Sequence, residues 1–231
     1  MIFDGHSDIF TDVTVRRLKG ETQVLKNHHL PRLRKGNIEG GCFVLWIDPP
    51  YDADPAKRLG ELMHCIKDEM AECEEAVVVK NLKEIEEARK AGKFYILPGL
   101  EGLSGIGTDL DKIDELYDFG CRHAMLSWNE QNDLSTGTKG DPNRGLTELG
   151  KKAVRKLHDK HMLVDVSHTN ERTFWAGIIK SLFFAFIIAS VSAFFGYTVD
   201  GGSIAVGKAS TDSVVSSSVL ILFAELVLDT L

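Results

Sequence analysis

The sequence predicts an α/β fold over residues 1–175, followed by a hydrophobic helical hairpin over residues 176–231. In the first part, short apolar runs alternate with amphipathic helical patterns, as expected for βα units that build a parallel sheet. The second part consists of long apolar runs broken by few charges. Its charged residues are Lys180, Asp200, Lys208, Asp212, Glu225 and Asp229. We therefore predict two domains that meet near Trp175.

Five short apolar runs are the candidate strands of the sheet. They are residues 2–4, 41–47, 94–98, 122–128 and 162–167. A closed eight-stranded α/β barrel usually needs about 250 residues, so this part of the chain falls short of closure. We expect a partial barrel of the TIM type, with about five strands, that stays unclosed.

The amphipathic segments between these runs are candidate helices. They are residues 54–76, 81–91, 109–119 and 147–160. Asn81-Leu-Lys-Glu84 has the form of a capping box, in which two side chains satisfy the free N–H groups at a helix start. Gly120 follows the third segment, where a helix commonly ends. These helices would cover the sheet.

Composition limits the partners and the compartment. The net charge is -7 and no block of Lys and Arg stands out, which excludes nucleic acid as the expected partner. The four cysteines form no CxxC pair, and this favours a reducing cytoplasm for the first domain. The first residues do not have the pattern of a cleavable secretion signal.

The second domain has the composition of membrane helices. Residues 182–199 carry no charge and reach the lower limit for spanning a bilayer. Residues 214–231 are similar, although Glu225 and Asp229 lie among them, and a glycine-rich connector joins the two runs. We expect membrane association through residues 178–231. The alternative is a buried helix pair in a soluble core.

Four residues of metal-binding type follow predicted strands. His6 and Asp8 follow the first strand, Glu101 the third and His168 the fifth. Side chains at the carboxyl ends of barrel strands build active sites, and residues i and i+2 of an extended segment point the same way. Two imidazoles and two carboxylates suit zinc or a similar divalent ion, and a bridging carboxylate suits a two-metal site.

Each of these residues also has an ordinary structural interpretation. His6 and Asp8 could be surface residues, Glu101 a turn residue, and His168 a satisfied side chain at a strand end. Asp165, three residues before His168, could orient a metal ligand by hydrogen bonding or could be a buried polar group of the strand.

Several motifs, taken together, resemble one family over residues 1–175. They are Asp4-Gly-His-Ser-Asp8, Gly99-Leu-Glu-Gly102, Arg122-His-Ala-Met-Leu-Ser-Trp-Asn129 with Gly137, Gly145-Leu-Thr-Glu-Leu-Gly150 and Val164-Asp-Val-Ser-His-Thr-Asn170. Their order and spacing are similar to those of the membrane (renal-type) dipeptidases, metallopeptidases of family M19. The resemblance implies an α/β barrel with two zinc ions that hydrolyses dipeptides by metal-activated water and tends to form homodimers.

The resemblance also implies roles for individual residues. His6 and Asp8 would bind one zinc ion, His168 would bind the second, and Glu101 would bridge both and act in catalysis. Asn129 is the candidate for substrate binding, although Trp128 stands before it where some members have a substrate-contacting histidine. The family's later Ser-His segment, with a further metal-binding histidine, and its later arginine and aspartate are missing from this chain. We therefore expect an under-ligated second metal and impaired activity.

The second domain resembles a different family. Gly177-Ile-Ile-Lys-Ser181, Gly201-Gly202 and Val206-Gly-Lys-Ala209 are similar to the end of MlaE-type permeases, the membrane subunits of an ABC transporter for phospholipid. Three hypotheses follow. The chain is a truncated zinc dipeptidase, a permease fragment of a phospholipid-transport system, or an inactive chimeric fragment.

Overall fold

A computed structural model describes residues 2–228, except for the side chains of residues 176–181, 222–223 and 225–228. The chain divides into two compact units between Glu171 and Arg172. Each unit is described by itself below.

The described residues of the first unit form six strands and six α-helices. The strands are β1 (Ile2–Ser7), β2 (Ile38–Trp46), β3 (Ala76–Val78), β4 (Phe94–Glu101), β5 (His123–Met125) and β6 (Leu163–Asp165). The helices are α1 (Ile9–Arg17), α2 (Leu30–Lys35), α3 (Pro55–Glu72), α4 (Leu82–Lys90), α5 (Lys112–Phe119) and α6 (Glu148–Asp159). All five predicted strands are present, and the short β3 was not predicted.

The strands form one parallel sheet that curls into half a barrel. Its order is β1-β2-β4-β5-β6, and β3 pairs with the first residues of β4 beside this path. Within the described residues, β1 and β6 therefore end the path without pairing to each other. The expectation of an unclosed α/β barrel with about five strands is confirmed. The parallel direction brings the carboxyl ends of all strands to one end of the sheet.

The core lies between this sheet and the helices. β2 and β4 are buried along nearly their whole length, as expected for central strands of a parallel sheet covered on its faces. Phe43 of β2 is fully buried, and its ring packs edge-on against Phe10 of α1 and tilted against Phe94 of β4. Leu62 and Ile66 of α3 complete this contact layer. Burial of these apolar side chains supplies the main stabilisation of the unit.

Two helix starts follow from the local sequence. Asn81 caps α4 by accepting a hydrogen bond from the Glu84 N–H at 3.0 Å, while the Glu84 carboxylate accepts from the Lys80 N–H at 2.8 Å. Thr147 caps α6 by accepting from the Gly150 N–H at 2.9 Å. Each cap satisfies an N–H group that has no partner within its helix. The capping box predicted at Asn81 is therefore present with one difference. The Glu84 carboxylate accepts from the N–H of Lys80 rather than from that of Asn81.

The second unit consists of two long helices, α7 (Glu171–Thr198) and α8 (Ser203–Leu228). Ser213 Oγ of α8 donates a hydrogen bond to Ser192 Oγ of α7 at 3.1 Å, and Ser213 is buried. Many large apolar side chains of this unit are exposed, among them Phe186 at 70% and Ile204 at 89%.

The prediction of membrane-spanning helices in this unit is wrong for the described residues. Among the residues whose backbone and side chains the structure describes, no helix is long and apolar enough to cross a bilayer. Two charged residues, Lys208 and Asp212, lie within α8. Residues 229–231 and the Glu225 side chain, part of the second predicted run, lie outside the described residues.

We expect Phe43→Ala to destabilise the first unit by about 3–5 kcal/mol, because it leaves a cavity where two aromatic contacts are lost. Urea denaturation followed by the fluorescence of Trp46 and Trp128 measures this loss. Leu82→Ala is the matched control, since Leu82 is 71% exposed and its truncation should change stability by less than about 0.5 kcal/mol. Equal effects of the two variants would contradict this description of the core.

Candidate metal centre

The four predicted metal-binding residues lie together at the carboxyl end of the sheet. His6 is the second-last residue of β1, and Asp8 is the residue before α1. Glu101 ends β4, and His168 follows β6 by three residues. Since these strands are parallel, their ends meet although the residues are far apart in sequence.

The carboxylate of Glu101 lies between two imidazoles. Its Oε2 is 3.3 Å from Nε2 of His6, and its Oε1 is 3.2 Å from Nε2 of His168. Asp8 Oδ1 is 3.5 Å from the same His6 nitrogen. One ligand atom each from His6, Asp8 and Glu101 lies within 4.8 Å of the other two. Each oxygen of Glu101 thus faces a different histidine, which is the arrangement of a bridging ligand.

Glycine permits the close approach behind Glu101. Gly102 has φ +97°, and a Cβ on it would lie 3.1 Å from the backbone nitrogen of Trp128. This backbone conformation is unfavourable for any residue with a Cβ, and that Cβ would crowd the loop after β5. Gly102 therefore lets the ends of β4 and β5 lie against each other, with Glu101 facing the mouth of the half-barrel.

His168 is held in a backbone conformation that is uncommon for a non-glycine residue. Its φ is +63°. The turn before it is fixed by Asp165, whose Oδ1 accepts a hydrogen bond from the Ser167 N–H at 2.7 Å. The carbonyl of His168 accepts from the Thr138 N–H at 3.0 Å. Contacts on both sides of His168 therefore hold the left-handed conformation.

The loop after β5 packs against the His168 side chain. Asn129 Oδ1 lies 3.2 Å from His168 Nδ1 and accepts a hydrogen bond from Thr138 Oγ1 at 2.7 Å. The Trp128 ring lies 6.1 Å from the His168 ring, centre to centre. A Cβ on Gly137 would lie 2.0 Å from the Trp128 carbonyl oxygen, so only glycine fits where this loop folds back. The predicted substrate-binding residue, Asn129, therefore contacts a candidate metal ligand.

Burial dominates the electrostatics of Glu101. Its side chain is 7% exposed, and desolvation raises the pKa of its carboxyl group. The charges of His6 and His168 oppose this rise, while Asp8 adds to it. Desolvation also opposes ionisation of Asp165, but hydrogen bonds from Ser167 and His123 outweigh it and lower the pKa of Asp165.

This donor set fits a divalent cation. The ion pairs of Glu101 among the described residues are with imidazoles, which are neutral when they act as metal ligands. A buried carboxylate without a full positive charge beside it is unfavourable, and a bound cation would compensate it. Imidazole nitrogens and carboxylate oxygens are ligands that zinc accepts.

A cavity of about 540 Å³ opens at the same end of the sheet. Its lining includes Ile47 after β2, Ser104 after β4, and Trp128, Asp133 and Arg144 of the loop after β5. This volume is in the range of small-molecule sites. Trp128 joins the cavity to the candidate ligands, because the same indole lies against the His168 ring. Another cavity of about 530 Å³, between α3 and α5, has no candidate ligand in its lining.

Comparison with known families agrees with this geometry. Residues 1–195 match the family model of the membrane dipeptidases, peptidase family M19. The chain belongs to peptidase family M19. Residues 165–231 match the model of the permease MlaE, so the two matches overlap over residues 165–195. The resemblances stated from the motifs are both confirmed.

Curated relatives of this M19 chain are distant. A protein from the PQQ-III 3′ region of Acinetobacter calcoaceticus is 24% identical over 206 residues, which are 75% of this chain and 65% of that protein. Two uncharacterised dipeptidases of Schizosaccharomyces pombe match as well. One is 35% identical over 89 residues, 37% of this chain and 21% of its own length. The other is 23% identical over 213 residues, which cover 74% of this chain and 47% of that protein. The chain thus spans less than two thirds of the length of these relatives.

Two solved structures share the fold of the M19 chain, each with a TM-score of 0.63. One is the dipeptidase AC, a metallopeptidase of family M19, at 23% identity over 75% of this chain and 59% of that chain. The other is a metallopeptidase from Rhodobacter sphaeroides bound to a phosphinate mimic of the dipeptide L-Ala-D-Ala, at 22% identity, with 75% and 60% covered. The likeness supports the half-barrel as part of a TIM-type fold.

One polar side chain near this centre was missed by the sequence analysis. His123 of β5 lies with its Nε2 2.8 Å from Asp165 Oδ2. The signal in the sequence is an imidazole inside a predicted strand that is otherwise largely apolar. Its partner could not be identified there, because the pairing of β5 with β6 brings the two residues together.

We expect Glu101→Gln to stabilise the metal-free M19 chain at neutral pH. The pKa of Glu101 is raised above its usual value of 4.5 in the folded chain, so the folded state holds this proton more tightly than the unfolded state. Wild-type stability therefore falls relative to the variant as the pH rises from the unfolded pKa through the raised folded pKa. Below that window the carboxyl group is protonated in both states and the difference disappears.

Thermal unfolding in excess chelator, at several pH values from 4 to 8, measures this difference. His64→Gln is a control for the loss of a titratable side chain, because His64 is 75% exposed on α3. A variant that is less stable than wild type at pH 8 would contradict the interpretation of Glu101 as an unfavourably buried charge.

Proposed function

We propose that the first unit is a metal-dependent dipeptidase. One observation carries this proposal: the buried carboxylate of Glu101 faces His6 with one oxygen and His168 with the other, in a chain of family M19. The cavity beside Trp128 has the size that a small substrate needs. A dipeptide is the expected substrate class, and the Rhodobacter sphaeroides relative in fold was solved with a dipeptide mimic.

The residues divide between two neighbouring metal positions. His6, Asp8 and Glu101 would hold one ion, and Glu101 with His168 would hold the second. Zinc is the proposed metal, since its sites accept imidazole and carboxylate ligands together. A metal ion bound there supplies two kinds of chemistry, a lowered pKa of water and polarisation of a carbonyl group.

The second position is proposed to bind its ion more weakly than the first. The first has an imidazole and two carboxylates, whereas the described residues on the other side offer His168 and the shared carboxylate of Glu101. Catalytic zinc sites usually have three protein ligands. We therefore propose that the activity of this chain is lower than that of a fully ligated two-metal enzyme.

Other side chains of the chain orient the substrate and exclude water. Asn129 Oδ1 is occupied by Thr138 and His168, so its Nδ2 is the group that donates to a carbonyl or carboxylate of the substrate. Trp128 packs edge-on against Trp46 at 5.0 Å between ring centres, and together they form an apolar wall beside the ligands. Such a wall keeps bulk water from the reacting bond. A homodimer is the proposed assembly, by resemblance to the family.

We expect the purified chain to bind zinc and to hydrolyse simple dipeptides. We expect His6→Ala to weaken zinc binding at the better position, Glu101→Ala to weaken it at both, and either substitution to abolish hydrolysis. Each substitution removes a ligand from the better position, and Glu101→Ala removes one from both. Equilibrium dialysis with Zn²⁺ and a ninhydrin assay of dipeptide cleavage measure the two properties. His64→Ala is the control, because this exposed histidine lies on α3 away from the centre.

The variants separate the possible outcomes. Unchanged zinc binding in Glu101→Ala would overturn the assignment of the ligands. Zinc binding without turnover in the wild type would retain the metal centre and refute the dipeptidase activity of this chain.

The second unit supports a different candidate function. Its match to the permease MlaE favours a role as part of a permease of a phospholipid-transport system. In that case the first unit is incidental to transport. A further alternative is an inactive chimera, in which neither unit keeps the activity of its family.

We expect the two units to occur as one polypeptide in the cell. Trypsin cleaves after Arg172 and Lys180, so residues 173–180 form one tryptic peptide across the region where the two family matches overlap. Targeted mass spectrometry of a digest from the native source detects it. The peptides of residues 113–122 and 145–151 report the first unit in the same run. Their presence without the 173–180 peptide would contradict a single chain.

A further inference from the structure

His123 and Asp165 form a hydrogen-bonded pair one layer below the candidate ligands. Nε2 of His123 is 2.8 Å from Asp165 Oδ2. The other Asp165 oxygen, Oδ1, accepts a hydrogen bond from the Ser167 N–H at 2.7 Å. His168 is the next residue, and it has the positive φ of +63°. A continuous set of hydrogen bonds therefore runs from β5 to the turn that carries His168.

Space for the His123 ring depends on the glycine opposite it. Gly99 of β4 pairs with His123 in the parallel register. A Cβ on Gly99 would lie 2.7 Å from His123 Nδ1 and 3.0 Å from Cys42 Sγ. The ring thus occupies the volume that a side chain at position 99 would fill. Glu101 lies two residues further along the same strand and on the same face.

Stability alone does not explain an imidazole at this position. Nδ1 of His123 is buried and has no hydrogen-bond partner among the described residues. An unsatisfied buried polar atom is unfavourable, and an apolar side chain of similar size would avoid it. The favourable polar contact of this ring is its hydrogen bond with Asp165. That bond holds the carboxylate that also accepts from the Ser167 N–H.

We propose that His123 is a positioning residue, which fixes the Asp165 turn and thereby directs His168 towards Glu101. In the folded chain Asp165 holds two groups at once, the imidazole of His123 and the Ser167 N–H. Without His123, the Asp165 carboxylate rotates towards water and the turn loses its anchor to β5. Partners of this kind commonly alter metal affinity by roughly 10–100-fold when removed. The part of the proposal that concerns metal rests on the proposed function.

The first test uses the metal-free, full-length chain. Histidine labelled with ¹⁵N gives separate imidazole resonances for His6 and His168, assigned by His6→Gln and His168→Gln. We expect His123→Leu to shift or broaden the His168 resonances and to leave those of His6 unchanged. His123→Gln should retain the wild-type resonances of His168, because its amide can donate to Asp165. His158→Leu is the control, since His158 is 86% exposed on α6.

Gly99→Ala tests the same set without removing a polar group. The added methyl group displaces the His123 ring, so the His168 resonances should shift as they do in His123→Leu. Thermal unfolding is measured for every variant. A general loss of structure would move the His6 and His168 resonances together and lower the melting temperature, which contradicts a positioning role. Unchanged His168 resonances in His123→Leu would overturn the proposal.

The second test measures zinc affinity at each histidine in the same labelled chain. The Zn²⁺ concentration that half-saturates the His168 resonances should rise roughly ten-fold or more in His123→Leu. The value for His6 should stay within about two-fold, and His123→Gln should restore the His168 value. Equal affinity of wild type and His123→Leu at His168 would overturn the effect on metal binding. Absence of zinc binding in the wild type would refute the proposed function, and the metal-free spectra would still decide the role of His123.

Discussion

The parallel pairing of β4 with its neighbours is the constraint on which the first unit depends. Its register with β2 runs from Gly40 beside Tyr95 to Trp46 beside Glu101, and β5 joins its other edge at Gly99. Because every strand runs in the same direction, the chain returns to the same end of the sheet after each helix. The Glu101 carboxylate, the His6 imidazole of β1 and the His168 imidazole just after β6 therefore meet at that end of the sheet.

This arrangement is unfavourable for the folded chain by itself. The sheet buries the Glu101 carboxylate, and the surrounding imidazoles compensate its lost hydration only in part. Two further unfavourable features lie nearby. His168 has a positive φ, and the buried Nδ1 of His123 has no hydrogen-bond partner among the described residues. Unfavourable features of this kind lie at the carboxyl end of the sheet, whereas the core around Phe43 is built from well-packed apolar side chains. Such a distribution is typical of a site that was selected for binding rather than for stability.

Local patterns in the sequence predicted much of this fold. Apolar runs located five of the six strands, and Asn81 located the start of α4. The structure ends α3 at Glu72. Ala76, the last residue predicted for that helix, instead begins β3, because residues 76–78 pair with β4. The ligand residues were found because each one follows a strand. His123 was not, since its partner is 42 residues away and the register that joins them is not written in local sequence. The two apolar runs of the second domain correctly located the helices α7 and α8, but apolar composition was not enough to predict that they span a membrane.

The order of the strands along the chain has a consequence for how the centre forms. His6 belongs to the first strand and His168 follows the last, so nearly the whole first unit separates them in sequence. During synthesis the β1-β2-β4 part of the sheet, with His6, Asp8 and Glu101, leaves the ribosome well before β6. Contacts between distant parts of a chain form slowly because a large loop must close first. The ligands His6, Asp8 and Glu101 are therefore synthesised before His168. The centre is complete only after β6, the strand that precedes His168, has joined the sheet.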